Sequence, residues 1–192
     1  MYLVRNVLAA IGLVSLIGIG SAAVYAKVHF SGFHPRAISV YLSMAQVLME
    51  TGNPAEATVW KARVANGLTF EDVEQSIQSL AHEYNIRGVG MLPLGDQVAA
   101  MQGAPWRRLN VYLYCNPLVA ARMVEFSEAF AAYLPCRIAL LEDEQGDLWL
   151  YSINMDLLIE GGRPLPNGLR VAAEEVRDVV KAIMDRAANG EF

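Results

Sequence analysis

The sequence predicts an α+β domain, helices packed on one face of a single mixed or antiparallel sheet, behind one N-terminal transmembrane helix. Three observations carry this. The stretch Val7–Ala26 is uncharged, apolar or small throughout. After Lys27, segments with strand character separate segments with helical spacing, in the order β-α-β-(α)-β-α-β-β-α. Turn and cap residues punctuate them: Asn66-Gly67, Asn116-Pro117 and the acidic run Asp143–Asp147.

The N-terminal stretch is long enough to span. A helix rises 1.5 Å per residue, so about 20 residues cover the ~30 Å hydrocarbon core. A cleaved secretory signal ending at Val24-Tyr25-Ala26 is the alternative, but the apolar part of a signal is usually only ~7–15 residues. Arg5 and the N-terminal amine favour a cytoplasmic N-terminus, while Lys27 and Arg36 pull the other way. Short basic-led anchors normally leave their long C-terminal part translocated. The domain is therefore expected outside the cytoplasm, in the periplasm of a Gram-negative cell. Gly18 and Ala22, four apart, permit close approach of a second helix.

Beyond the anchor, Phe33-His34-Pro35 breaks the helix. Ile38, Tyr41, Leu42, Ala45, Leu48 and Met49 then recur at helical spacing up to Gly52-Asn53-Pro54. This amphipathic helix has three places to go: the membrane surface, the domain, or a partner. Residues 58–64 read as a strand. Thr69 caps a helix with Glu71 and Asp72 in its first turn and an apolar stripe of Phe70, Val73, Ile77, Leu80 and Tyr84. Strands follow at 87–92 and 109–114, with a short helix at 96–101 between them. Residues 117–133 read as one helix, 137–141 and 148–153 as a hairpin, and a last helix carries Ala172, Val176, Val179, Ile183 and Ala187 on one face. The expected layout is an anchor (1–27), a helical connector (28–57), an α+β domain (58–155) and a helical extension (156–192).

Composition narrows the class. At 192 residues there is room for one domain plus an anchor. Apolar residues make up 54% and mean hydropathy is +0.28, with the excess before Lys27. Net charge is −5 and the acids are dispersed, so no basic stripe is present to bind nucleic acid. Two cysteines exclude a disulfide scaffold and a CxxC-type zinc site.

Tyr114-Cys115-Asn116-Pro117, an Ala-rich helix, and Leu134-Pro135-Cys136-Arg137 leading into a glycine-turned hairpin resemble the DUF302 family, over roughly residues 58–155. The resemblance implies an α+β fold, often homodimeric, and no established biochemical function. The anchor, the helix at 36–50 and the extension after Asp156 depart from the compact soluble members.

The sharpest local chemistry lies in the same motifs. Asn116 is a good N-cap and Pro117 loses no hydrogen bond at the first helical position, which sets Cys115 at a helix N-terminus. That position favours anions and lowers a thiol's pKa. Cysteine is equally a common buried hydrophobe. Cys115, Asn116, Pro117, Cys136 and Arg137 are the candidate ligand-binding residues. If the helix returns antiparallel to its strand, Cys115 and Cys136 lie at opposite ends of the sheet, beyond the ~7 Å bridging limit, and stay thiols. His29 and His34 lack a third ligand. His82 reads as solvated. Glu142, Asp143, Glu144 and Asp147 form a turn without EF-hand spacing, and Trp106-Arg107-Arg108 is a basic-aromatic patch. No catalytic set and no cofactor emerge, and none of the P-loop, GxSxG, HExxH or CxxCH motifs is present.

Two functions are expected from this. One is a non-enzymatic, membrane-tethered accessory module that self-associates or joins a larger membrane complex, respiratory or sulfur-metabolising. The other is a thiol-based redox or ligand-handling protein using Cys115.

Overall fold

Alternating burial along the strands decides how the sheet meets the helices. In the computed structural model, which describes residues 2–192, Tyr112, Tyr114, Cys136, Ile138, Leu140, Leu150 and Ser152 are buried, while their strand neighbours stay partly open. Side chains along a strand point to opposite faces with period two, so one face of the sheet is the core face.

Along the chain, α1 (Tyr2–Phe30) leads to α2 (Ala37–Thr51), which stops at Gly52 in the left-handed region. A single turn, α3 (Pro54–Ala57), is capped by Asn53, whose side chain accepts from the Ala55 N–H, and enters β1 (Val59–Arg63). Next come α4 (Phe70–Glu83), β2 (Arg87–Leu92), α5 (Leu94–Gln102) and β3 (Leu109–Cys115). Then α6 (Pro117–Phe126) and a 3₁₀ segment (Glu128–Tyr133) lead to β4 (Cys136–Glu142), β5 (Leu148–Ile153), α7 (Met155–Glu160) and α8 (Asn167–Ala188).

The five strands form one sheet in the order β1-β5-β4-β3-β2, antiparallel at every pairing. Val73, Ile77 and Leu80 of α4 and Val180, Ile183 and Ala187 of α8 pack on Ile138, Leu140 and Leu150. Fully burying such a side chain contributes about 1.5–3 kcal/mol. The core therefore does not stop at residue 155: Ile159, Leu165, Leu169 and Ala173 belong to it too.

The capped helix forms as its sequence directs. The Asp72 N–H donates to Thr69 Oγ1 (3.1 Å) and the Thr69 N–H donates back to Asp72 Oδ2 (2.8 Å). This capping box satisfies two otherwise orphaned donors. The helix expected over 117–133 does not run through. It breaks at Ser127, whose φ −158° and ψ 122° are extended, and the chain continues as the 3₁₀ segment.

The N-terminal helix stands apart. None of the window Val4–Phe30 is buried against the domain. Helix α2 is docked along one side, where Val40, Met44 and Val47 are half-buried. Ala37 is buried, whereas Ile38 (61% exposed), Leu42 (64%) and Met49 (81%) face outward.

Candidate functional site

The two motifs that carried the family resemblance meet at one corner of the sheet. Strand β3 ends at Cys115, and the extended Asn116 turns the chain, its side chain accepting from the Val119 N–H at 3.3 Å. Pro117 opens α6. The chain returns through the 3₁₀ segment and a cis Leu134-Pro135 bond to start β4 at Cys136.

Cys136 lies opposite Tyr114 in the β3–β4 register, one residue from Cys115. The expectation that the two cysteines sit at opposite ends of the sheet is therefore wrong. It assumed a helix running the full length of the sheet, which would make the flanking strands parallel. Instead α6 is ten residues long and breaks at Ser127, so the connection starts and finishes at the same end and the strands pair antiparallel. Ordinary sheet spacing puts the two Cα atoms roughly 6 Å apart. Both thiols are free.

Behind this corner is a partly open cavity of about 50 Å³, walled almost wholly by apolar groups. It lies among β3, β4, α6, α7 and α8, and Cys115, Cys136, Met123, Met155, Phe130 and Val176 line it. Burial pushes the Cys136 thiol up to about 11, with the neighbouring Cys115 adding to the rise. Burial raises the Cys115 thiol as well. The helix N-terminus does not overcome desolvation here, so neither cysteine is an activated thiolate at neutral pH.

The remaining candidates separate from this corner. Asn116 caps and lines the cavity, Pro117 is exposed, and Arg137 faces the other side of the sheet, in an open hollow with Val111, Ala139 and Tyr151. His29 Nδ1 lies 3.0 Å from the Tyr25 carbonyl, and His34 Nδ1 accepts from the Arg36 N–H. His82 is exposed. Asp143 is occupied within its own turn, accepting from the N–H groups of Gln145 and Asp147 and from Trp149 Nε1, while Asp147 pairs with Arg63 at 2.6 Å. Arg108 pairs with Glu71 at 2.6 Å and lies over the Phe70 ring. Among the described residues, no three His, Cys, Asp or Glu side chains converge as metal ligands.

Sequence reasoning missed Met123 and Met155 as cavity residues, because a methionine at a helical core position gives no sign of which cavity it meets. It also missed a polar cleft where α2 meets α7 and α8. There Arg36 and Arg177 donate to Glu160, and Arg177 and Lys181 donate to Asp156. Burial works against charge on Arg177, but the hydrogen bond to Asp178 and the carboxylates of Asp178, Asp156 and Glu160 together hold its pKa above the ordinary arginine value.

The profile of the domain of unknown function DUF302 matches residues 60–187. An uncharacterized protein of Aquifex aeolicus (strain VF5) is 26% identical over 133 residues, spanning 68% of this chain and 85% of that one. The crystal structure of an uncharacterized conserved DUF302 protein from Bacillus stearothermophilus superposes with a TM-score of 0.54 at 14% identity, covering 68% of this chain and 98% of the other. That likeness speaks to the fold alone. The matched segment takes in all of the sheet but Val59, α4 to α7 and nearly all of α8, and on that extent the chain belongs to the DUF302 family.

Proposed function

We propose that this chain is a membrane-anchored DUF302 binding module, non-enzymatic, that works by associating with itself or with a larger membrane complex. The observation that carries it is the helix Val4–Phe30, none of which is buried against the domain. An apolar helix of that length left uncovered in water is costly, and a bilayer is the environment that removes the cost. The outward-facing Ile38, Leu42 and Met49 of α2 support the same reading, since they begin a few residues after the anchor ends. The domain is assigned to the outer side of the membrane, periplasmic in a Gram-negative cell, by the weight of Arg5 and the length of the C-terminal part.

Extraction of native membranes with alkaline carbonate, followed by purification from mild detergent, tests the reading. The expected result is retention in the membrane, an intact N-terminus by mass spectrometry, and a species larger than one chain after detergent correction. Release by carbonate or a cleaved N-terminus removes the anchor. An isolated monomer with nothing co-purifying removes the association.

A second reading rests on the cavity at Cys115 and Cys136, which suits handling of a small ligand. The high thiol pKa values speak against a nucleophilic role in it.

A further inference from the structure

We propose that the cavity among β3, β4, α6, α7 and α8 binds a single soft monovalent metal ion, Cu(I), with Cys115 and Cys136 as thiolate ligands and Met123 and Met155 as thioether ligands. The proposal does not depend on the membrane reading.

Convergence is the first argument. The chain has two cysteines and eight methionines. Both cysteines and two of the methionines line this one cavity, each from a different element: Cys115 from β3, Met123 from α6, Cys136 from β4 and Met155 from α7. Three of the four, Met123, Cys136 and Met155, are at most 9% exposed. Sulfur side chains at core positions are common singly, but four around one small void form a donor set.

Size is the second. A cavity of about 50 Å³ accommodates one ion. It is far below the ~300–1,000 Å³ of sites that hold organic ligands.

Donor chemistry is the third. Hard cations need oxygen ligands, and the wall here is apolar and sulfur-bearing. No third His, Cys, Asp or Glu joins the cysteines among the described residues, which leaves a zinc site short of its usual ligands. Thiolate and thioether sulfur together select Cu(I). Binding balances without redox change: Cu(I) leaves its chelator and bonds to two thiolate and two thioether sulfurs, the two S–H bonds break, and their protons leave to solvent. The bound centre then carries one net negative charge. The N-terminus of α6, which begins two residues after Cys115, offers positive dipole beside it.

The test uses the full chain in mild detergent, under anaerobic conditions with ascorbate, titrated with Cu(I) against the chromophoric chelator bathocuproine disulfonate. The expected result is withdrawal of one Cu(I) per chain, lost in Cys115→Ser and in Cys136→Ser. In Met123→Leu and Met155→Leu the affinity should fall by at least roughly tenfold, because losing even a partner outside the ligand set costs that much. X-ray absorption of the loaded wild type should show sulfur scatterers only. Failure of the wild type to withdraw Cu(I), withdrawal persisting in the Cys115→Ser/Cys136→Ser double variant, or nitrogen or oxygen in the first shell each overturns the assignment. If Cys136→Ser does not fold, the half-buried Cys115→Ser variant and the absorption spectrum decide it. Membrane release with intact Cu(I) binding would defeat the anchoring proposal and leave this one standing.

Discussion

Arg177 donates through Nη1 to Glu160 Oε1 at 3.0 Å, in the cleft where α2 meets α7 and α8. Glu160 is 4% exposed and also accepts from Arg36 at 3.2 Å, so a single carboxylate ties the base of α2 to the domain. The His34 N–H, donating to the Gly162 carbonyl at 2.8 Å, closes the same joint from the backbone side.

Removing Glu160 takes from Arg177 one of its three carboxylate partners and leaves Asp156 and Asp178. We expect Glu160→Ala to destabilise the domain by about 1.5–3 kcal/mol, the range for lost hydrogen bonds between charged groups. Arg36→Ala should cost under about 1 kcal/mol, because that side chain is mostly solvated. Urea denaturation of both variants checks the contrast, and equal effects would show that the network is wetter than its geometry.

Helix α8 supplies core, and its residues should behave accordingly. Ile183 is fully buried, so Ile183→Ala should lose about 2–5 kcal/mol. Leu42→Ala on the outward face of α2 should stay within about 0.5 kcal/mol in detergent solution. Thermal melts of the two variants distinguish a domain that needs residues after 155 from one that only carries them.

The thiols should differ in reactivity. At pH 8, iodoacetamide should label Cys115 before Cys136, since the first is half-buried and the second buried with its pKa pushed up to about 11. After unfolding without reductant, both should label, as expected of two free thiols. The raised value also fixes the alkaline behaviour. Cys136 adds stability below the ordinary thiol pKa, and that contribution is lost as pH climbs from there towards 11. Peptide mapping against time and a denaturation series at alkaline pH measure both effects.

The capping box has the opposite pH signature. The Thr69 hydroxyl, and then its backbone N–H, hold the Asp72 carboxyl below the usual carboxylate range. A depressed folded value means the contribution is present above the unfolded pKa, about 3.9, and lost as pH falls through the folded one. The stability gap between wild type and Asp72→Asn should be constant near neutrality and close below about pH 4. A gap that persists in acid would assign the effect to side-chain shape rather than charge.

How much of this was legible depended on the range of the interaction. Thr69, Asp72 and the stripe from Val73 to Leu80 act within one helix, so their sequence spacing contains the answer. The strand boundaries Arg87–Leu92 and Leu148–Ile153 were readable for the same reason. The pairing of Val59 with Ile153 spans most of the domain, and period-two alternation is silent about which strand lies beside which. The corner at Cys115 and Cys136 turned on Ser127. Propensity alone favours continuing a helix through Phe126 and Phe130, and the extended conformation there reflects tertiary packing that no local pattern encodes. Cys115, Asn116 and Cys136 could therefore be named from local motifs, whereas the nearness of the two cysteines and the part of Met123 and Met155 in the same cavity could not.

The short span between Phe30 and Ala37 has a consequence for how the domain meets other molecules. If α1 spans a bilayer as proposed, the base of α2, fastened through Glu160, leaves little slack between the membrane and the sheet. Encounters with other membrane proteins then occur by lateral diffusion in a thin layer, where local concentration greatly exceeds the bulk value. Contacts too weak to detect between isolated domains in dilute solution become effective once both partners share that layer.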